Sequence, residues 1–149
     1  MKPRSPAQVT CVEDFRQLAR QRVPRMFYDF VDGGSWSEST YRANSADLAE
    51  ILFRPRVGVD ISALSLGARL LGQPATMPVA LAPIGMAGMQ HADGEILAAR
   101  AAERFGVPFT LSTMSVCSIE DVAAATSKPF WFQLYIMKNR AFIERLIAR

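Results

Sequence analysis

The sequence predicts an α/β protein in which a helical opening third leads into parallel βα units, and three observations carry that prediction. Short, largely apolar runs, 79–82, 108–112 and 130–135, alternate with segments whose apolar residues recur at helical spacing. The alternation begins only from residue 68, following an opening third that reads as helical. Half of the 149 residues are hydrophobic, enough for a buried core and too many for a disordered tail.

The elements follow in order. Thr10 and Glu13 stand at the spacing of a capping box, and Val12, Phe15, Leu18 and Ala19 mark one face of a first helix over about 11–22. Pro24 suits the first turn of a second helix bearing Met26, Phe27, Phe30 and Val31, and Gly33-Gly34 stops it. Ser39 or a neighbour caps a third helix that carries Leu48, Ile51 and Leu52 and ends before Pro55. Residues 1–67 are therefore predicted to be a helical segment.

In 68–149 the pattern predicts a β-hairpin, Ala68–Leu71 and Ala75–Met77 around a break at Gly72-Gln73-Pro74. The run Val79–Ala82, ended by Pro83, reads as a strand buried on both faces. Asp93 caps a helix with Ile96, Leu97, Ala101 and Phe105 on its inner side, stopped by Gly106. A second strand, Pro108–Ser112, precedes a helix opened by Ser118 and Asp121; a third, Phe130–Tyr135, precedes a helix capped by Asn139. Three such units have the pattern of the opening part of a (β/α)8 TIM barrel. A closed barrel needs eight strands and about 250 residues, so the sequence reads as an N-terminal fragment of a longer chain.

Composition limits the partners. The net charge is only +3 with no acidic or basic block, which gives nucleic-acid binding no support. Four arginines, Arg16, Arg20, Arg22 and Arg25, read as a solvated helix face, with contact to anionic lipid or to another subunit as the alternative. Cys11 and Cys117 are far apart and outside any metal or disulfide spacing. The opening MKPRSPAQVT lacks the apolar core of a signal peptide, and no run reaches the ~20 apolar residues of a membrane span. A cytoplasmic location is expected, with peripheral attachment to the inner membrane as the variant.

Ligands of parallel α/β folds gather at the carboxyl ends of the strands. Pro83, Ile84 and Gly85 follow the first strand, where the glycine lets a ligand approach the backbone; simple strand punctuation is the alternative. The second strand ends at Ser112 and Thr113. Alternation puts Gln133 and Tyr135 on one face of the third, and an amide in so apolar a strand calls for a partner, whether a ligand or the barrel interior. His91, the sole histidine, precedes a helix N-terminus and reads as a capping or packing residue rather than a base. Neither a glycine-rich phosphate fingerprint nor a metal-ligand cluster appears.

The segments YDFVDGGSWSEST (28–40), MPVALAPIGMAGM (77–89), PFTLSTMSVCSIEDVA (108–123) and especially WFQLY (131–135) resemble the FMN-dependent 2-hydroxy acid dehydrogenases and oxidases, and within them the respiratory bacterial members that oxidise L-lactate. The resemblance runs from about residue 11 to the end. It implies an FMN cofactor, oxidation of an L-2-hydroxy acid to the 2-oxo acid, an electron acceptor in the respiratory chain or oxygen, and a homo-oligomer. It places Pro83, Ile84 and Gly85 against the flavin ring, Ser112 and Gln133 at its polar edge, and Tyr135 at the substrate as the catalytic residue present in this chain. The family's catalytic histidine, substrate-binding arginines, flavin-side lysine and phosphate loop lie on later strands. Where the family carries a second substrate-binding tyrosine, this sequence has Phe30. Two alternatives stand beside this reading: a truncated, non-catalytic remnant, and a flavin oxidase of the same family that takes a bulkier or peptide-derived substrate.

Overall fold

A computed structural model describes residues 5–149. The reading of the opening segment as free of an apolar leader rests partly on residues 1–4, which lie outside the described residues. The chain divides into two compact units at Leu64/Ser65.

In the first unit a 3-10 turn, Pro6–Gln8, precedes α1 (Val12–Arg22), α2 (Arg25–Asp32) and α3 (Ser39–Ala49). The predicted capping box does not form. The N-cap position is Cys11, one residue later than expected, so the acid three residues on is Asp14. Its carboxylate accepts from both Thr10 N (2.9 Å) and Thr10 Oγ1 (2.8 Å). Arg16 stays exposed, in keeping with the predicted solvated face, and also forms a two-pronged bond to Asp32 and donates to the Tyr41 hydroxyl at 3.2 Å, so one guanidinium ties α1, α2 and α3. That hydrogen bond from Arg16 holds the Asp32 carboxyl below its ordinary range. Gly34 permits the turn between α2 and α3, because a Cβ there would stand 2.8 Å from Tyr41 Cβ. α3 ends at Ala49, and Ile51 and Leu52, predicted within it, lie beyond its end and exposed. Leu48 is exposed as well, so helical spacing has no packing to extend it.

The second unit opens with the hairpin, β1 (Ala68–Leu70) antiparallel to β2 (Gln73–Ala75). The turn is Leu71-Gly72, with φ of 47° and 80°, a two-residue loop with both residues left-handed. Gln73 and Pro74 thus belong to the strand rather than to the break. Next come α4 (Ala87–Gln90), α5 (Gly94–Phe105), β3 (Thr110–Ser112), α6 (Ile119–Ala125), β4 (Trp131–Gln133) and α7 (Arg140–Ala148). β3 pairs in parallel with β4, register Thr110↔Trp131 to Ser112↔Gln133. The predicted strand at 79–82 is reduced to one parallel bridge, Leu81↔Phe109, and Val79 and Leu81 remain 47% and 37% exposed. It is therefore not buried on both faces, because the residues described here cover only one.

The core lies on the helix side of these strands. Phe109 and Leu111, two apart and so on one face, pack with Ala99 and Ala102 of α5 and Val122 of α6. The inward face of α5 is met only in part: Ile96 packs against the core as predicted, but the buried residues are Glu95, Ala99 and Ala102, whereas Ala101, Leu97 and Phe105 are exposed, the last two at 45% and 59%. Asp93 stands at its N-cap with φ 55° and makes no side-chain cap. The capping box of Ser118 and Asp121 and the Asn139 cap, which accepts from Phe142 N at 3.0 Å, form as predicted.

Candidate active site

The register that sends Phe109 and Leu111 to the helices sends Thr110 and Ser112 to the opposite face, beside Trp131 and Gln133. At the carboxyl end of this pair Ser112, 4% exposed, donates from Oγ to Gln133 Oε1 at 3.3 Å and accepts from Met114 N at 3.1 Å. Thr113 N reaches the same Oε1 at 3.4 Å and the Gln133 carbonyl at 3.1 Å. The amide oxygen of Gln133 is thus fixed, while its Nε2 has no hydrogen bond among the described residues.

The loop of Pro83, Ile84 and Gly85 joins this arrangement through the next residue: Met86 N donates to Met114 O at 2.8 Å. Gly85 lies close in, since a Cβ on it would stand 3.3 Å from Met114 Cβ and 3.9 Å from Ser112 Oγ. Met86 sits at φ 56°, a left-handed conformation costing a non-glycine residue about 1–2 kcal/mol, and its bond to Met114 helps hold it there. Ile84 is 59% exposed.

Tyr135 lies past the end of β4, not within it. Its backbone N donates to Thr113 Oγ1 at 3.1 Å, its ring is half exposed, and its hydroxyl has no hydrogen bond among the described residues. Four of the proposed site residues therefore converge: Gly85, Ser112 and Gln133 by direct approach, and Tyr135 through Thr113. Phe30 belongs to the first unit, on α2, where its ring is largely exposed rather than core. His91 caps no helix start; it follows α4, is exposed, and shares a 2.7 Å hydrogen bond between Nδ1 and the Ala92 carbonyl.

One residue escaped the sequence reading. Glu95, 2% exposed, accepts through Oε1 from Gly88 N (3.1 Å) and Val116 N (2.9 Å). Burial pushes its carboxyl up, the Val116 and Gly88 amides pull it down, and the balance falls below the ordinary glutamate value. Its helical spacing to Ala99 and Ala102, on the buried face of α5, was the available signal.

The chain matches the FMN-dependent dehydrogenase family over residues 19–149. It is 46% identical over 141 residues to an L-lactate dehydrogenase of Yersinia pestis (strain Pestoides F), covering 95% of this chain but 37% of that protein. Among solved structures it resembles a soluble mutant of the membrane-associated (S)-mandelate dehydrogenase from Pseudomonas putida, with a TM-score of 0.84 and 37% identity over 92% of this chain and 40% of that one. It also resembles the monotopic membrane protein (S)-mandelate dehydrogenase, with a TM-score of 0.87 and 36% identity over 94% of this chain and 38% of that one. The chain thus spans little more than a third of the relatives it matches, and it belongs to the FMN-dependent dehydrogenase family.

Proposed function

We propose that this chain forms the flavin-edge part of an FMN-dependent L-2-hydroxy acid dehydrogenase, the segments after its hairpin being the first three βα units of a TIM barrel. The full-length protein would oxidise L-lactate to the 2-oxo acid, passing electrons to the respiratory chain. The observation that carries this reading is the Ser112–Gln133 pair at adjacent strand ends, with a fixed amide oxygen and a free amide nitrogen beside the Gly85 loop.

The residues fit an isoalloxazine ring. Its polar edge mixes acceptors and donors, and Gln133 Nε2 is a donor with nothing else to bind among the described residues. Gly85 leaves the loop backbone uncovered by a side chain, as contact with a flat ring requires. When bound, FMN supplies the two-electron acceptor. Ser112 holds the Gln133 amide in one orientation, so that its N–H groups meet developing negative charge without reorganisation. The Tyr135 hydroxyl orients the substrate at the reacting carbon. The base is assigned to a part of the full-length protein outside these residues, since His91 is exposed and turned to the Ala92 carbonyl.

The membrane association of the mandelate dehydrogenases supports a peripheral attachment here, and a homo-oligomer is what the family resemblance implies. The test is to purify the full-length protein, titrate it with FMN by fluorescence, and add L-lactate anaerobically. FMN binding with lactate-dependent bleaching is expected. Absence of FMN binding would overturn this reading.

A second reading is favoured by Phe30 and by the mandelate-directed neighbours: a substrate with a larger apolar body. A carboxylate lacking one neutral donor forfeits about 1 kcal/mol, or several-fold in kcat/KM, while an apolar ring at that place repays about 25 cal/mol per Å² of substrate covered. Phe30→Tyr is expected to move the ratio of kcat/KM for lactate over mandelate several-fold toward lactate. An unmoved ratio removes Phe30 from the substrate side.

A further inference from the structure

We infer that Glu95 is a positioning residue, a buried carboxylate that clamps the loop after the Leu81 segment to the loop after β3 and so fixes the two walls against which the flavin edge lies. The inference rests on the proposed FMN site for what the loops hold, and on geometry alone for the clamp. Glu95 begins α5, yet it bonds to neither strand end directly. Its Oε1 takes one N–H from each loop, Gly88 in α4 and Val116 between β3 and α6. Those residues lie a few positions beyond Gly85 and Ser112 respectively. The third tie between the loops, Met86 N to Met114 O, is of backbone only.

The loops are in contact where the carboxylate holds them. A Cβ on Gly88 would fall 2.7 Å from Val116 Cβ and 3.1 Å from Glu95 Oε2, so the glycine is needed for the approach. Losing the acceptor strands two N–H groups at once. Oε2 is buried and has no hydrogen-bond partner among the described residues. One oxygen therefore carries the whole clamp, and reach, rather than the second oxygen, is what Glu95 contributes.

That distinction sets the experiment. Glutamine keeps an acceptor oxygen at the same reach; aspartate keeps the charge but is shorter by one bond of about 1.5 Å. In the FMN-loaded full-length protein, Glu95→Asp and Glu95→Ala are expected to weaken FMN binding about tenfold or more and to shift the midpoint potential of the bound flavin, with Glu95→Gln restoring both to within about threefold. Hydrogen exchange at the Gly88 and Val116 amides should quicken in the same two variants and not in the third. Wild-type FMN affinity and potential in Glu95→Asp, or a Glu95→Gln variant as impaired as Glu95→Ala, would overturn the clamp. If the shortened variants do not fold, Gly88→Ala separates the loops with Glu95 intact, and unchanged FMN affinity there overturns it equally. A wild-type protein that binds no FMN sinks the proposed function instead, and the exchange rates still decide the clamp.

Discussion

Gln133→Ala is expected to weaken FMN binding by the full-length protein on the order of tenfold to a hundredfold, the equivalent of one to two hydrogen bonds at about 1–1.5 kcal/mol each. The change removes the free Nε2 and also deprives Ser112 Oγ of its acceptor. The scaffold around them survives: Thr113 N still has the Gln133 carbonyl, and Ser112 Oγ still accepts from Met114 N. Tyr135→Phe is expected to act the other way, lowering kcat with L-lactate at least about tenfold while changing FMN affinity less than about threefold. Its hydroxyl bonds to nothing among the described residues, and its backbone N keeps Thr113 Oγ1. A fluorescence titration with FMN and steady-state kinetics on the two variants separate the roles. Equal losses of flavin affinity would show that the division between flavin edge and substrate side is wrong.

How far this site was legible depends on whether its signals are local. Asn139 and the Ser118–Asp121 box announce helix starts because the partner is three residues away, and both form. WFQLY and the Ser112-Thr113 end were legible as strand ends because an amide in an apolar strand is costly without a partner. Their mutual bond is not local: Ser112 and Gln133 are 21 residues apart and meet only through the parallel register. The face of α5 failed for a related reason. Counting apolar residues selected Ile96, which does pack on the core, but also Leu97 and Phe105, which do not; the buried stripe is Glu95, Ala99 and Ala102, mostly small residues led by a carboxylate. Small residues let the helix approach the strands closely, and the burial of Glu95 rests on two loop amides, 7 and 21 residues away, that satisfy its Oε1. The hairpin turn misled in the opposite sense: Gly72-Gln73-Pro74 looks like a break, yet two left-handed residues suffice and Pro74 is tolerated in a two-stranded edge.

Leu111→Ala is expected to cost the full-length protein about 2–5 kcal/mol, a large share of the about 5–15 kcal/mol that holds an ordinary fold. Leu111 is wholly buried, lies in β3 beside β4, and packs against Ala99, Ala102 and Val122. Small neighbours on α5 cannot grow into the space, so the cavity persists. The next residue, Ser112, belongs to the flavin edge, so loss of FMN affinity should accompany loss of stability as β3 loosens. Leu97→Ala on the same helix provides the contrast: at 45% exposed and off the buried stripe, it should cost no more than about 1 kcal/mol. Urea unfolding of both variants, with and without saturating FMN, gives the comparison. If Leu97→Ala proves as costly as Leu111→Ala, α5 packs with the face its apolar residues suggested, and the inward placement of Glu95 is wrong with it.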